Sequence, residues 1–163
     1  MKETTLDRSR VVAFSTHGLV SGEVKGLSEP ALVLTPPAQG SDLDDGLLTA
    51  SEITDLKLNA DWVILSACNT ASGGKPGAEG LSGLARSFFY AGARALLVSH
   101  WPVESTSATR LTTKMFETLR SDPTIGRSEA LRRSMMSLAS NDNYSHPALW
   151  APFVVVGEGG AQR

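Results

Sequence analysis

Five short apolar runs alternate with segments of helical periodicity, and that alternation constrains the fold more than any other feature of the chain. Val11 to Phe14, Ala31 to Thr35, Asp61 to Ala67, Ala95 to Ser99 and Phe153 to Val156 are apolar over most consecutive positions. A strand with one wetted face alternates apolar and polar residues, so runs this continuous must be covered on both faces, as in a parallel sheet. Thr49 and Glu52 have the spacing of a capping box, which predicts a short helix from about Ala50 to Leu56. Leu81, Leu84, Ala85, Phe88 and Phe89 predict a helix from about Glu79 to Ala91, stopped by Gly92. Two further helices follow from Ala108, Leu111, Met115 and Leu119 and from Ala130, Leu131, Met135 and Leu138. Glycines at 18, 22 and 26 mark a loop or hairpin, and residues Gln39 to Gly46 read as an exposed loop. The pattern predicts an α/β fold, a three-layer sandwich with a mainly parallel sheet.

Composition bounds the rest. A chain of 163 residues with 41% hydrophobic and 20% charged residues can bury one core of its own. A net charge of -2 supplies no overall field for polyphosphate, so nucleic acid is not an expected partner. The apolar runs fall far short of the ~20 residues that span a bilayer, so no membrane partner is expected. Met1 to Arg10 is polar and lacks the apolar stretch of a signal peptide, which makes the cytoplasm the expected compartment. With a single cysteine, Cys68, the chain can form neither an internal disulfide nor a thiolate-rich zinc site, and no cofactor or metal is expected.

In an open parallel sheet, ligands and chemistry collect beyond the carboxyl ends of the strands. His17, Cys68 and the His100-Trp101 pair each lie just past a predicted strand end and therefore share one rim. The loop at Gly73-Gly74-Lys75 is not a P-loop, because Asn69 and Pro76 stand where glycine and a hydroxyl residue are required. No Gly-x-Ser-x-Gly elbow is present. A thiol of ordinary pKa near 8.5 is mostly protonated at neutral pH, so a nucleophilic cysteine needs an imidazole to take its proton. His17 precedes Cys68 by 68 − 17 = 51 residues, close to the separation of about 50 between the caspase histidine and cysteine. Spacing and placement alone leave two readings open: a Cys-His dyad, or a buried structural cysteine with an unrelated surface histidine.

The wording of the sequence says more. Thr16-His17-Gly18, Leu65-Ser66-Ala67-Cys68-Asn69-Thr70 and Glu79-Gly80-Leu81-Ser82-Gly83-Leu84-Ala85-Arg86-Ser87-Phe88 resemble successive motifs of the CHAT domain, a caspase-like family of cysteine peptidases. The resemblance continues through Ala91-Gly92-Ala93, Ser99-His100-Trp101-Pro102-Val103, Phe116 to Leu119 and His146 to Phe153, and covers roughly Val11 to Gly157. It implies a caspase-hemoglobinase-like sheet, with His17 as base, Cys68 as nucleophile, and the backbone N–H groups of Gly18 and Cys68 facing the oxyanion. Glycine at 18 suits that role because it has no Cβ to hold a substrate carbonyl away.

Specificity does not carry over so directly. Ser66 stands two residues before Cys68, where caspases place Gln and metacaspase-like relatives Asp, and Pro102 follows Trp101 where a caspase arginine would be expected. Ser66, Ser99, His100, Trp101 and the charge of Glu79 are the candidate substrate-binding positions. His146 reads as a turn residue, Trp150 as core, and the basic residues between Arg110 and Arg133 as solvated helix faces. The expected organisation is a polar segment over 1–10, a CHAT-like domain over 11–157 that resembles the catalytic part of the family, and a flexible tail over 158–163. Full CHAT domains, as the family is known, carry a segment with at least one further strand ahead of the histidine strand and often lie behind helical repeats. A protein or peptide substrate and a helical-repeat or regulatory partner protein are therefore the expected partners. A second reading stays open, in which the module is catalytically idle and binds a partner.

Overall fold

The computed structural model describes residues 6–37, 45–65 and 83–161. Among the described residues, seven strands and four helices follow in the order β1 (Val11–Phe14), β2 (Gly18–Leu19), β3 (Ala31–Val33), β4 (Leu47–Thr49), α1 (Ala50–Thr54), β5 (Trp62–Leu65), α2 (Leu84–Tyr90), β6 (Ala95–Ser99), α3 (Ser105–Ser121), α4 (Arg127–Ala139) and β7 (Phe153–Gly157). A 3-10 turn at Pro147–Leu149 precedes β7. The main sheet has the order β1-β5-β6-β7, and β2, β3 and β4 form a second, antiparallel sheet. β1, β5 and β6 run parallel, while β7 returns antiparallel to β6. The fold is mixed α/β with a mainly parallel sheet.

Burial explains the continuous apolar runs. Along β5 and β6 the side chains alternate between two cores, so each run serves both, whereas β1 buries only Val12 and Phe14 and leaves Val11 and Ala13 exposed, against the expectation of cover on both faces. Val12, Phe14, Val63, Leu65, Leu96 and Val98 join Ile53 of α1, Phe88 of α2 and Leu32 and Leu48 of the small sheet. Trp62, Ile64, Ala95 and Leu97 join Leu111 and Met115 of α3 and Ala130, Leu131 and Leu138 of α4. The sheet is therefore the middle layer of three, as the sequence pattern requires.

Local signals set the boundaries. Thr49 accepts from the Glu52 backbone N–H at 3.3 Å and the Glu52 carboxylate accepts from the Thr49 N–H at 2.9 Å, which is the reciprocal cap of α1. Gly92 ends the turn after α2 with φ +106, and a Cβ there would run into the Leu58 carbonyl. That position admits glycine alone on both conformational and steric grounds. Beyond β7, Glu158 N donates to Arg94 O and Ser128 N donates to Gly159 O, both at 3.0 Å, so the chain crosses the starts of β6 and α4.

Candidate active site

Parallel pairing places the ends of β1, β5 and β6 on one rim. The register pairs Phe14 with Leu65 at the end of β1 and β5, and the next strand, β6, runs alongside in the same direction. Strands lie about 4.8 Å apart, so β1 and β6 are separated by about 10 Å. His17 leaves the rim from β1, and His100 and Trp101 leave it from β6. Ser66, Cys68 and Glu79 lie outside the described residues.

The backbone around His17 is tied to the small sheet. Thr16 Oγ1 donates to the Val33 carbonyl, Val33 N donates to His17 O at 2.8 Å, and Gly18 pairs with Leu32 across β2 and β3. Those bonds hold the main chain while the His17 side chain stays exposed. An open cavity of about 410 Å³ lies beside it, lined by Thr16 and His17 from the β1 exit and by Val103, Ser105, Thr109 and Thr112 at the start of α3.

The α3 wall was not among the positions singled out in the sequence. Its signal was present: hydroxyl residues at 105, 109 and 112 fall on one helical face. Thr109 Oγ1 donates to Ser105 O at 2.8 Å and Thr112 Oγ1 to Ala108 O at 2.9 Å. Each hydroxyl hydrogen is thereby turned into the helix, leaving oxygen lone pairs as acceptors. The substrate-binding candidates on β6 do not line this cavity. Ser99 is 3% exposed and paired with Phe153 inside the sheet. His100 is exposed, with its N–H bonded to Pro152 O at 3.0 Å. Trp101 is 41% exposed and its indole N–H donates to Ala148 O at 3.1 Å. Trp150 packs partly buried against the α3 and α4 core, in line with its expected packing role. His146 caps the 3-10 turn, its ring accepting from the Ala148 N–H at 3.2 Å.

The start of α3 depends on one carboxylate. Glu104 accepts from the backbone N–H groups of Thr106 at 2.7 Å and Ser107 at 2.8 Å. Hydrogen bonding, from Thr106 first and then Ser107, holds its pKa down to about 2 from the ordinary 4.5. A carboxylate lowered in this way stabilises the folded state above its unfolded pKa and loses that contribution as protons bind. The first turn of α3 is therefore expected to loosen as the pH falls from 4.5 toward about 2. Amide exchange at Thr106 and Ser107 reads this directly, and Glu104→Gln should make it independent of pH in that window. An unchanged acid response in Glu104→Gln would assign the loosening to other groups.

Among the described residues, no group of three or more His, Cys, Asp or Glu side chains is close enough to hold a metal ion. No described helix is long and apolar enough to cross a membrane.

Comparison with known proteins agrees with this architecture. The chain is 34% identical over 111 residues to tetratricopeptide repeat protein 28 of Mus musculus, an alignment covering 68% of this chain and 4% of that protein. Against tetratricopeptide repeat protein 28 of Homo sapiens it is 34% identical over 115 residues, covering 71% of this chain and again 4% of the relative. The chain thus spans a small fraction of the length of these relatives. The sequence profile of the CHAT domain matches residues 1–158, so nearly the whole chain carries the family pattern and the protein belongs to the CHAT domain family.

Proposed function

We propose that the chain is a cysteine endopeptidase in which His17 and Cys68 act as a dyad. The observation that supports this reading is the parallel register of β1 and β5, which pairs Phe14 with Leu65. His17 follows Phe14 by 17 − 14 = 3 residues and Cys68 follows Leu65 by 68 − 65 = 3. Three residues reach at most about 11 Å, so two chains leaving adjacent strands in the same direction can bring an imidazole to a thiol.

In the proposed reaction the His17 imidazole takes the Cys68 thiol proton, and the thiolate attacks the peptide carbonyl carbon. Negative charge gathers on the carbonyl oxygen, where the N–H groups of Gly18 and Cys68 stabilise it. Collapse breaks the C–N bond, the leaving amine takes the proton from the His17 imidazolium, and a thioester remains on Cys68. Water, deprotonated by the same imidazole, then releases the acid. Ser66, His100, Trp101 and Glu79 are the proposed substrate contacts on the β5 and β6 side, the buried Ser99 supporting them from within the sheet, and Thr109 and Thr112 offer acceptors on the α3 side. A lone catalytic thiol needs a reducing compartment, which favours the cytoplasm. The tetratricopeptide repeat names of the relatives support a helical-repeat partner, joined to this module or binding it.

A pooled peptide library treated with the chain and with Cys68→Ala, then read by mass spectrometry, tests the activity. The chain should generate new termini that Cys68→Ala does not. Identical, uncleaved pools would favour the catalytically idle, partner-binding module instead.

A further inference from the structure

Toward the opposite end of the sheet lies a second cleft whose reading does not rest on the proposed peptidase chemistry, although one of its walls, Phe116, also borders the cavity beside His17. A cleft of about 300 Å³ opens beside the start of β1 and β5, walled by Val11, Trp62, Phe116, Leu119 and Ile125 and closed by Arg127. It adjoins a polar cavity of about 440 Å³ through the shared residues Asp61, Arg127 and Gly160. Both volumes fall in the range of small-molecule sites. Val11 and Phe116, 44% and 41% exposed, offer apolar surface to the cleft.

Two buried donors at this cleft lack full partners. Arg127 is only 6% exposed, yet its side chain makes one hydrogen bond among the described residues, from Nη1 to the Glu158 carbonyl at 2.9 Å. A guanidinium carries five N–H donors, and a buried charge without a carboxylate is costly. Trp62 is 2% exposed and its Nε1 has no hydrogen-bond partner among the described residues. Nearby, Asp61 is already neutralised by Arg10 and by Arg94, the latter at 3.3 Å. Three guanidinium groups, on Arg10, Arg94 and Arg127, face two carboxylates, on Asp61 and Glu158, which leaves one positive charge. Arg127 also opens α4, whose Gly126 cap supplies no side chain, so the helix start adds to the positive potential.

We propose that this cleft binds a small carboxylate with an apolar body, the carboxylate on Arg127 and the alkyl or aryl portion against Val11 and the packed rings of Trp62 and Phe116, whose centroids lie 5.3 Å apart. One unpaired guanidinium matches a monoanion, and planar carboxylates take two of its N–H bonds at once. The apolar walls select against a bare inorganic anion.

Titration of the isotope-labelled 163-residue chain with 4-phenylbutyrate, following the Trp62 indole N–H by NMR, tests the assignment. A saturable shift with a dissociation constant below about 1 mM is expected, with the neutral 4-phenylbutyramide binding at least about tenfold more weakly. Inorganic phosphate at matched ionic strength should leave the Trp62 signal in place. Arg127→Gln should weaken 4-phenylbutyrate about tenfold. Phe116→Ser, at a half-exposed wall, should weaken acid and amide alike and keeps the test decisive if Arg127→Gln does not fold. No saturation up to about 10 mM, equal binding of acid and amide, or an equal response to phosphate would each overturn the proposal.

Discussion

His17→Ala is expected to slow alkylation of Cys68 by iodoacetamide at pH 6 by about tenfold. A thiol of pKa near 8.5 is only about 0.3% thiolate at that pH, whereas a thiol paired with an imidazolium and titrating near pH 6 is about half thiolate. That difference alone would be roughly a hundredfold. Intrinsic nucleophilicity falls as the thiol pKa falls, with a slope of about 0.4–0.5, and this returns about one factor of ten. His17 is exposed, so its removal should leave the fold intact within about 0.5 kcal/mol. An unchanged melting curve with a slowed alkylation isolates the pairing. Equal alkylation rates in the two proteins would remove it, and with it the proposed chemistry.

Phe88→Ala should have the larger effect on stability, a loss of about 3–5 kcal/mol in urea unfolding. Phe88 is fully buried in α2, with its ring centroid 5.3 Å from that of Phe14 at an interplanar angle of 48°. The tilted contact adds to the burial of two large rings. Against a typical total of about 5–15 kcal/mol, such a loss is a large share. For a domain near this size the melting temperature should fall by about 6–20 °C. Phe88→Leu retains much of the volume and should cost far less. Because Phe14 is the last residue of β1, the void would open under the strand end that carries His17. A loss under about 1 kcal/mol for Phe88→Ala would mean that these rings do not form the core contact described.

Much of the architecture was legible because local chemistry and global packing agree. The continuous run Ala95–Ser99 marks a strand covered on two sides, and the structure divides its side chains between two cores; Val11–Phe14 is equally continuous but lies at the sheet edge with Val11 and Ala13 exposed, a difference set by strand order, which local pattern does not encode. The Thr49 and Glu52 pair and Gly92 marked helix limits through backbone requirements that no distant contact could replace. Other features had no local signature. β4, Leu47–Thr49, lies between the stretch that reads as a loop, ending at Gly46, and the helix from Ala50, and it becomes a strand by pairing with β3. The reversed direction of β7 is fixed by the path through α3 and α4, which hydrophobic periodicity does not encode. α3 begins at Ser105, ahead of its first apolar residue, because the Glu104 cap rather than an apolar stripe starts it. The hydroxyl face of α3 beside His17 likewise carries no apolar periodicity, whereas His17 is marked by the strand end it follows. His100 and Trp101 leave the end of β6 and Ser99 is buried as its last residue, and none of the three lines the cavity beside His17.

The four paired positions from Val11↔Trp62 to Phe14↔Leu65 carry a consequence for variation in chain length. Everything from Ser15 to Asp61 is an excursion between two strands that are already neighbours. Insertions or deletions in its turns would alter how many residues separate the histidine from the cysteine without altering where their parent strands terminate, and lengthening a surface loop carries only a small entropic cost. The proposed pairing of His17 with Cys68 therefore rests on strand adjacency and not on the separation of 51 residues.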